Sequence, residues 1–144
     1  MKRININSQQ THFIGCWNLE NNKLCNEIIN LFENNKNLQI QGITDKGIDP
    51  KTKKTTDITV SPNDLKKPKF EILKKYIGEL HKCFLDYQNQ WPFLKSMINT
   101  LYVPSFNIQK YLPGDHFAAL HSERTSINTS HRLFAWMTYL NDVD

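Results

Sequence analysis

Nowhere in this 144-residue chain does an apolar run approach the ~20 residues that a bilayer span requires. The opening stretch, MKRININSQQ, turns polar after its first basic residues and has no apolar h-region, which argues against a secretory signal peptide. Cysteine is sparse: Cys16, Cys25 and Cys83 are odd in number and widely spaced, with no CxxC. That usage fits reduced thiols in a cytoplasmic compartment better than a disulfide framework. There is no glycine-rich phosphate loop, no internal repeat, and no Ser-His-Asp set that spacing alone would support. The basic residues are not interleaved with aromatics along a strand, which removes the usual signature of single-strand nucleic-acid binding. A net charge of +4 is modest, and 39% hydrophobic residues suits one globular domain at this length.

The first hundred residues read as support. Thr11 to Trp17 reads as a short strand, and Asn18 as the N-cap of a helix running to about Asn35. Leu24, Ile28, Leu31 and Phe32 fall on one face of that helix. Residues 38–60 read as strand, turn and strand, with Gly47, Asp49 and Pro50 at the turn and Lys51, Lys53 and Lys54 making a solvated basic loop. A second helix is expected over about 68–88. Pro68 stands at its start, and Phe70, Leu73, Ile77, Leu80, Phe84 and Tyr87 recur at threes and fours. His81 in this helix reads as a packed or surface residue. Leu101 to Lys110 alternates as a strand and feeds Tyr111.

The chemistry concentrates in the last third. Residues two apart on a strand face the same side, so His121 and Glu123 can reach one point in space. A neutral nitrogen and an anionic oxygen are two thirds of a 2-His-1-carboxylate facial triad for non-haem Fe(II). An exposed loop histidine beside a solvated glutamate has the same spacing. Before the pair comes Tyr111-Leu112-Pro113-Gly114-Asp115, a strand end and turn, and then Phe117, Ala119 and His121 on one face. After it come a polar loop, Arg132, and a β-forming run closing on Tyr139-Leu140-Asn141-Asp142-Val143. Together, Tyr111, Gly114, Phe117, His121, Glu123, Arg132 and the closing run resemble the catalytic core of the 2-oxoglutarate/Fe(II)-dependent dioxygenases, in the prolyl 4-hydroxylase-like branch. The likeness covers 111–144 and is only suggestive upstream. Glu123 stands where that branch more often has Asp.

The resemblance implies an α+β fold: a double-stranded β-helix, or jelly roll, braced by the two helices. Residues 1–100 would be the helical support with a hairpin, and residues 101–144 the first half of the catalytic jelly roll. It implies Fe(II) on His121 and Glu123, 2-oxoglutarate as cosubstrate with a contact from Tyr139 or, less strongly, Tyr111, and ascorbate as an accessory cofactor. The expected reaction is hydroxylation of a C–H bond with release of succinate and CO2, with O2 as oxidant and a protein or small molecule as substrate. Peptidyl proline is the family's best-known target. Tyr139 is equally a core tyrosine, and Arg132 either holds the polar loop or pairs with a surface acid, the second being preferred. The distal ligand histidine and the Lys or Arg that clamps 2-oxoglutarate are absent from these 144 residues. His131 is not expected to substitute. The chain therefore reads as one incomplete domain, an N-terminal fragment that is inactive alone and only marginally stable because its sheet edges are uncovered. Two other classes stay open: a non-enzymatic jelly-roll interaction module, and a basic nucleic-acid-associated protein using the lysines at 51–54 and 66–69.

Overall fold

The structure, a computed structural model, describes residues 1–6, 12–98, 100–124 and 126–142. Its elements run in chain order as β1 (Lys2–Ile4), β2 (Cys16–Asn18), α1 (Asn22–Asn34), β3 (Ile40–Gln41), β4 (Lys53–Lys54), β5 (Thr56–Val60), α2 (Glu71–Gln90), α3 (Leu94–Met97), β6 (Phe106–Lys110) and β7 (His116–Phe117). Short 3-10 turns stand at Lys36–Leu38, Asp64–Lys66, Pro68–Phe70 and Ile127–Thr129. The chain divides into two units: Met1–Leu31 with Val60–Phe106, and Phe32–Thr59 with Asn107–Asp144.

The first unit is helical. Both expected helices are present, as α1 and α2. The cap of α1 is Asn21 and not Asn18: the Asn21 Oδ1 accepts the Leu24 N–H at 3.0 Å, meeting one of the orphan donors of the first turn. Asn18 instead ends β2 and accepts the Glu20 N–H at 2.8 Å, so it shapes the turn before the helix. Leu24 and Ile28, one turn apart, are buried. In α2, Leu73, Tyr76 and Cys83 turn inward at threes and sevens, a stripe whose burial yields about 1.5–3 kcal/mol for each large side chain. Pro68 opens a 3-10 turn that leads into the helix, where its missing N–H costs nothing. His81 is on the exposed face. The antiparallel pair β1–β2 is tied to α2 by polar contacts: Trp17 Nε1 donates to Asp86 Oδ2 at 2.8 Å, and Arg3 Nη1 donates to the same oxygen at 3.0 Å.

The second unit carries the other two sheets. Strands β3, β5 and β6 form a three-stranded sheet in that order, with β3 antiparallel to β5. Strand β4 pairs with β7, setting Lys53 opposite Phe117 and Lys54 opposite His116. Phe32, Ile58 and Ile108 supply the apolar core. The turn into β7 is built as the sequence suggests: Gly114 adopts φ +83°, and Asp115 Oδ2 accepts the Leu112 N–H at 2.9 Å.

The expected jelly roll is not what forms. The α+β class holds, but the sheets are open and small, of two, three and two strands, and no barrel closes among the described residues. The main departure is the closing run. Residues 132–139 have the composition of a strand yet belong to no ladder assigned among the described residues. A strand, unlike a helix, cannot satisfy its backbone within itself, so propensity without a neighbouring strand yields no sheet. Thr11, Thr125, Val143 and Asp144, which the sequence assigns to the first strand, the polar loop and the closing strand, lie outside the described residues. No helix among the described residues is long and apolar enough to cross a membrane.

Candidate functional site

The candidate residues all lie in the second unit. They begin at a buried polar cluster on one face of the β4–β5 stretch. Lys53, Thr55 and Asp57 alternate inward, and all three are buried. Lys53 Nζ stands 2.6 Å from Asp57 Oδ2, and Thr55 Oγ1 donates to Asp57 Oδ1 at 2.7 Å. From β6, Gln109 Nε2 reaches the same carboxylate at 3.2 and 3.3 Å. The Asp57 acceptors are therefore filled, as a carboxylate in so dry a place requires. Gly42 closes the cluster: a Cβ there would lie 2.1 Å from Thr55 Oγ1 and 3.0 Å from the Lys53 side chain.

Outside this cluster the contacts run toward solvent. Lys53 Nζ lies 5.7 Å from the Phe117 ring centroid, within cation–π range. Phe117 in turn stacks on His121, with centroids 4.5 Å apart and planes 24° from parallel. The His121 Nδ1 is 3.0 Å from the Ala119 carbonyl, an acceptor only, so this nitrogen carries the proton. Nε2 then faces Glu123 Oε1 at 3.5 Å. The other Glu123 oxygen accepts from Arg132 Nη1 at 2.9 Å. Arg132 both pairs with this acid and spans the polar loop, whose short turn is fixed by a Ser126–Thr129 capping box. Burial raises the Tyr111 phenol above its ordinary pKa, and the nearby Asp57 carboxylate and Tyr139 add to the rise. Tyr139 itself is largely exposed, at 73%.

The structure thus brings His121 and Glu123 side by side, with Tyr111 and Tyr139 near one another. It does not assemble an iron centre. Among the described residues, no three His, Cys, Asp or Glu side chains are grouped to hold a metal. His121 and Glu123 offer two donors, and Arg132 already neutralises the carboxylate charge that would offset a cation. The iron- and 2-oxoglutarate-dependent mechanism read from the sequence is therefore withdrawn, with the dioxygenase assignment that rested on it.

The buried cluster was not legible beforehand. Lys53 reads in sequence as part of a solvated basic loop, yet it is 4% exposed. The period-two spacing of Lys53, Thr55 and Asp57 was the available signal, since it puts all three on one face. No protein-family model matches the chain, and neither a curated protein nor a solved structure is similar to it, which leaves the resemblance to the dioxygenases without support.

Proposed function

We propose that this protein is a polypeptide-binding module that offers the stretch 133–139 as a strand to an extended partner. One observation carries the reading. Along 132–140 the side chains alternate except at Trp136, which is 37% exposed where the pattern would bury it: Arg132, Phe134, Thr138 and Leu140 are half-buried, while Leu133, Ala135, Met137 and Tyr139 are exposed. None of these last four makes a backbone hydrogen bond among the described residues. An apolar run with the N–H and C=O groups along one edge unspent is what β-strand addition uses: the ladder supplies affinity and alternate side chains supply specificity. Exposed apolar surface of this kind marks interaction sites, and Met137 and Tyr139 are 77% and 73% exposed.

Nucleic acid is the less favoured partner. The lysines of the two basic runs are largely engaged locally: Lys53 with Asp57, Lys54 with Asp115, Lys67 with Asp64, and Lys66 with the Asn63 side chain. Such pairing lowers the free positive charge that phosphate binding draws on.

The test uses a short synthetic peptide of alternating valine and threonine with lysine at both ends. At saturation it should slow amide exchange at Leu133, Ala135, Met137 and Tyr139 by about tenfold or more, equivalent to about 1.4 kcal/mol. Met137→Pro, which removes a ladder N–H, should abolish the protection. Unchanged exchange in the unmodified chain overturns the reading, as does protection that survives the proline.

A further inference from the structure

The exposed run has a property that its role as a strand donor does not require: it is complementary to itself. Set two copies of 132–142 antiparallel with Met137 opposite Met137. Ala135 then faces Tyr139 of the partner copy, small against large, at two symmetry-related places. Arg132 and Asp142 lie five residues to either side of Met137, so each strand end sets a guanidinium against a carboxylate. In this register Ala135, Met137 and Tyr139 form the hydrogen-bonded pairs of the ladder. These are residues whose N–H and C=O groups make no backbone bond among the described residues.

Resting on the proposed strand-donor function, we propose that the partner at this face is a second copy of the chain. The two copies form an isologous, two-fold antiparallel pair centred on Met137. Charge complementarity disfavours the register centred on residue 136, whereas one centred on residue 138 would set Arg132 against Asp144 and is told apart by the cysteine cross-link below. Shifting the centre to residue 136 sets Arg132 against Leu140 and leaves Asp142 without a basic partner. The pairing fits the local structure. The bend at Leu140 and Asn141 falls outside the paired residues 135–139. The guanidinium uses Nη1 on Glu123 and has further donors for a second carboxylate. Closed two-fold pairing also uses up the strand edge, where an open head-to-tail arrangement would propagate. A ladder this short buries little surface, so the dimer belongs to the weak class, with a dissociation constant of about 10–500 μM.

The experiment is sedimentation equilibrium of the full chain, combined with cysteine cross-linking. The chain should show a reversible monomer–dimer equilibrium in that range. Met137→Cys should cross-link on mild oxidation, because opposed residues of a hydrogen-bonded pair sit about 5.5 Å apart at Cα, within disulfide reach. Leu133→Cys, which faces Asn141 in this register, should cross-link no more than the unmodified chain with its own three cysteines. Asp142→Arg, which sets like charges together at both ends, should weaken dimerisation by about five- to thirtyfold. A chain that stays monomeric to about 1 mM overturns the proposal. So does a dimer in which Leu133→Cys cross-links as well as Met137→Cys, or one indifferent to Asp142→Arg. A monomer that still binds the valine–threonine peptide leaves the strand-donor function standing and assigns the face to a different polypeptide. A monomer that does not bind it removes both.

Discussion

Two stretches of this molecule are patterned with large apolar residues, and they end differently. In α2 the pattern repeats at threes and fours, the backbone closes its own hydrogen bonds, and Leu73, Tyr76 and Cys83 are buried. In 132–140 the pattern repeats at twos, no ladder is assigned among the described residues, and Leu133, Met137 and Tyr139 face solvent. The apolar content is similar in kind. What differs is where each can find its hydrogen-bond partners: the helix finds them four residues back, the strand only in another strand. A helical period is therefore nearly a statement about structure, whereas a strand period is half of one.

The largest expected effect tests whether the second unit's sheet region is held by satisfied groups as firmly as α2 is. Asp57→Ala removes the carboxylate that Lys53, Thr55 and Gln109 all address, and leaves the Lys53 ammonium buried with no countercharge. Breaking one partner out of a buried pair costs about 3–5 kcal/mol. Urea unfolding should show a loss of that size, and replacing Lys53 by Met in the same chain should recover much of it. A loss under 1 kcal/mol would mean that water reaches the pair and that the cluster is not a dry core.

Next in size is the direct comparison of the two patterns. Leu73→Ala deletes a side chain that is 1% exposed, and should cost about 2–5 kcal/mol through lost burial and the cavity left behind. Leu133→Ala removes the same atoms from a side chain that is 55% exposed, and should change monomer stability by no more than about 0.5 kcal/mol. Measured at low protein concentration, equal costs would show that the Leu133 face of 132–140 is packed in solution, and would remove the open edge on which the proposed binding depends.

The same distinction explains what could be read from the sequence. Both helices were legible because their apolar residues and their hydrogen bonds share one local period, although the cap of α1 was misplaced by three residues, onto an asparagine that shapes the preceding turn. The turns were legible through Gly47 and Gly114, both at positive φ. The jelly roll was not a safe inference, because strand propensity at 132–142 says nothing of how many strands join one sheet, and the described sheets stay at two and three strands. His121 and Glu123 could be placed near one another from spacing. That Arg132 pairs with a surface acid was the preferred reading and is what forms; that the acid is Glu123, nine residues back, no local pattern encodes. Lys53 was misread for a related reason: its burial depends on Asp57, on Gln109 from β6 and on the bare backbone of Gly42.

The smallest expected effect separates a second helical stretch, the end of α1, from 132–140 by pH. Glu33, at the end of α1, has its carboxyl pKa lowered to about 2, first by the hydrogen bond from Lys110 and then by that from Lys36. A carboxyl whose folded pKa lies below its unfolded value of about 4.5 binds fewer protons when folded. Its contribution is fully present above pH 4.5 and is lost as the pH falls through about 2. The stability difference between the unmodified chain and Glu33→Gln should therefore be constant from pH 7 down to about 5 and shrink toward zero by about pH 2, when followed by urea midpoints. Residues 133–139, LFAWMTY, contain no carboxyl group. Once intrinsic rates are corrected for, amide exchange across them should not follow that curve. If protection at 133–139 is lost over the same pH interval as the Glu33 contribution, the two stretches unfold as one, and the strand is not the independent, partner-seeking element described above.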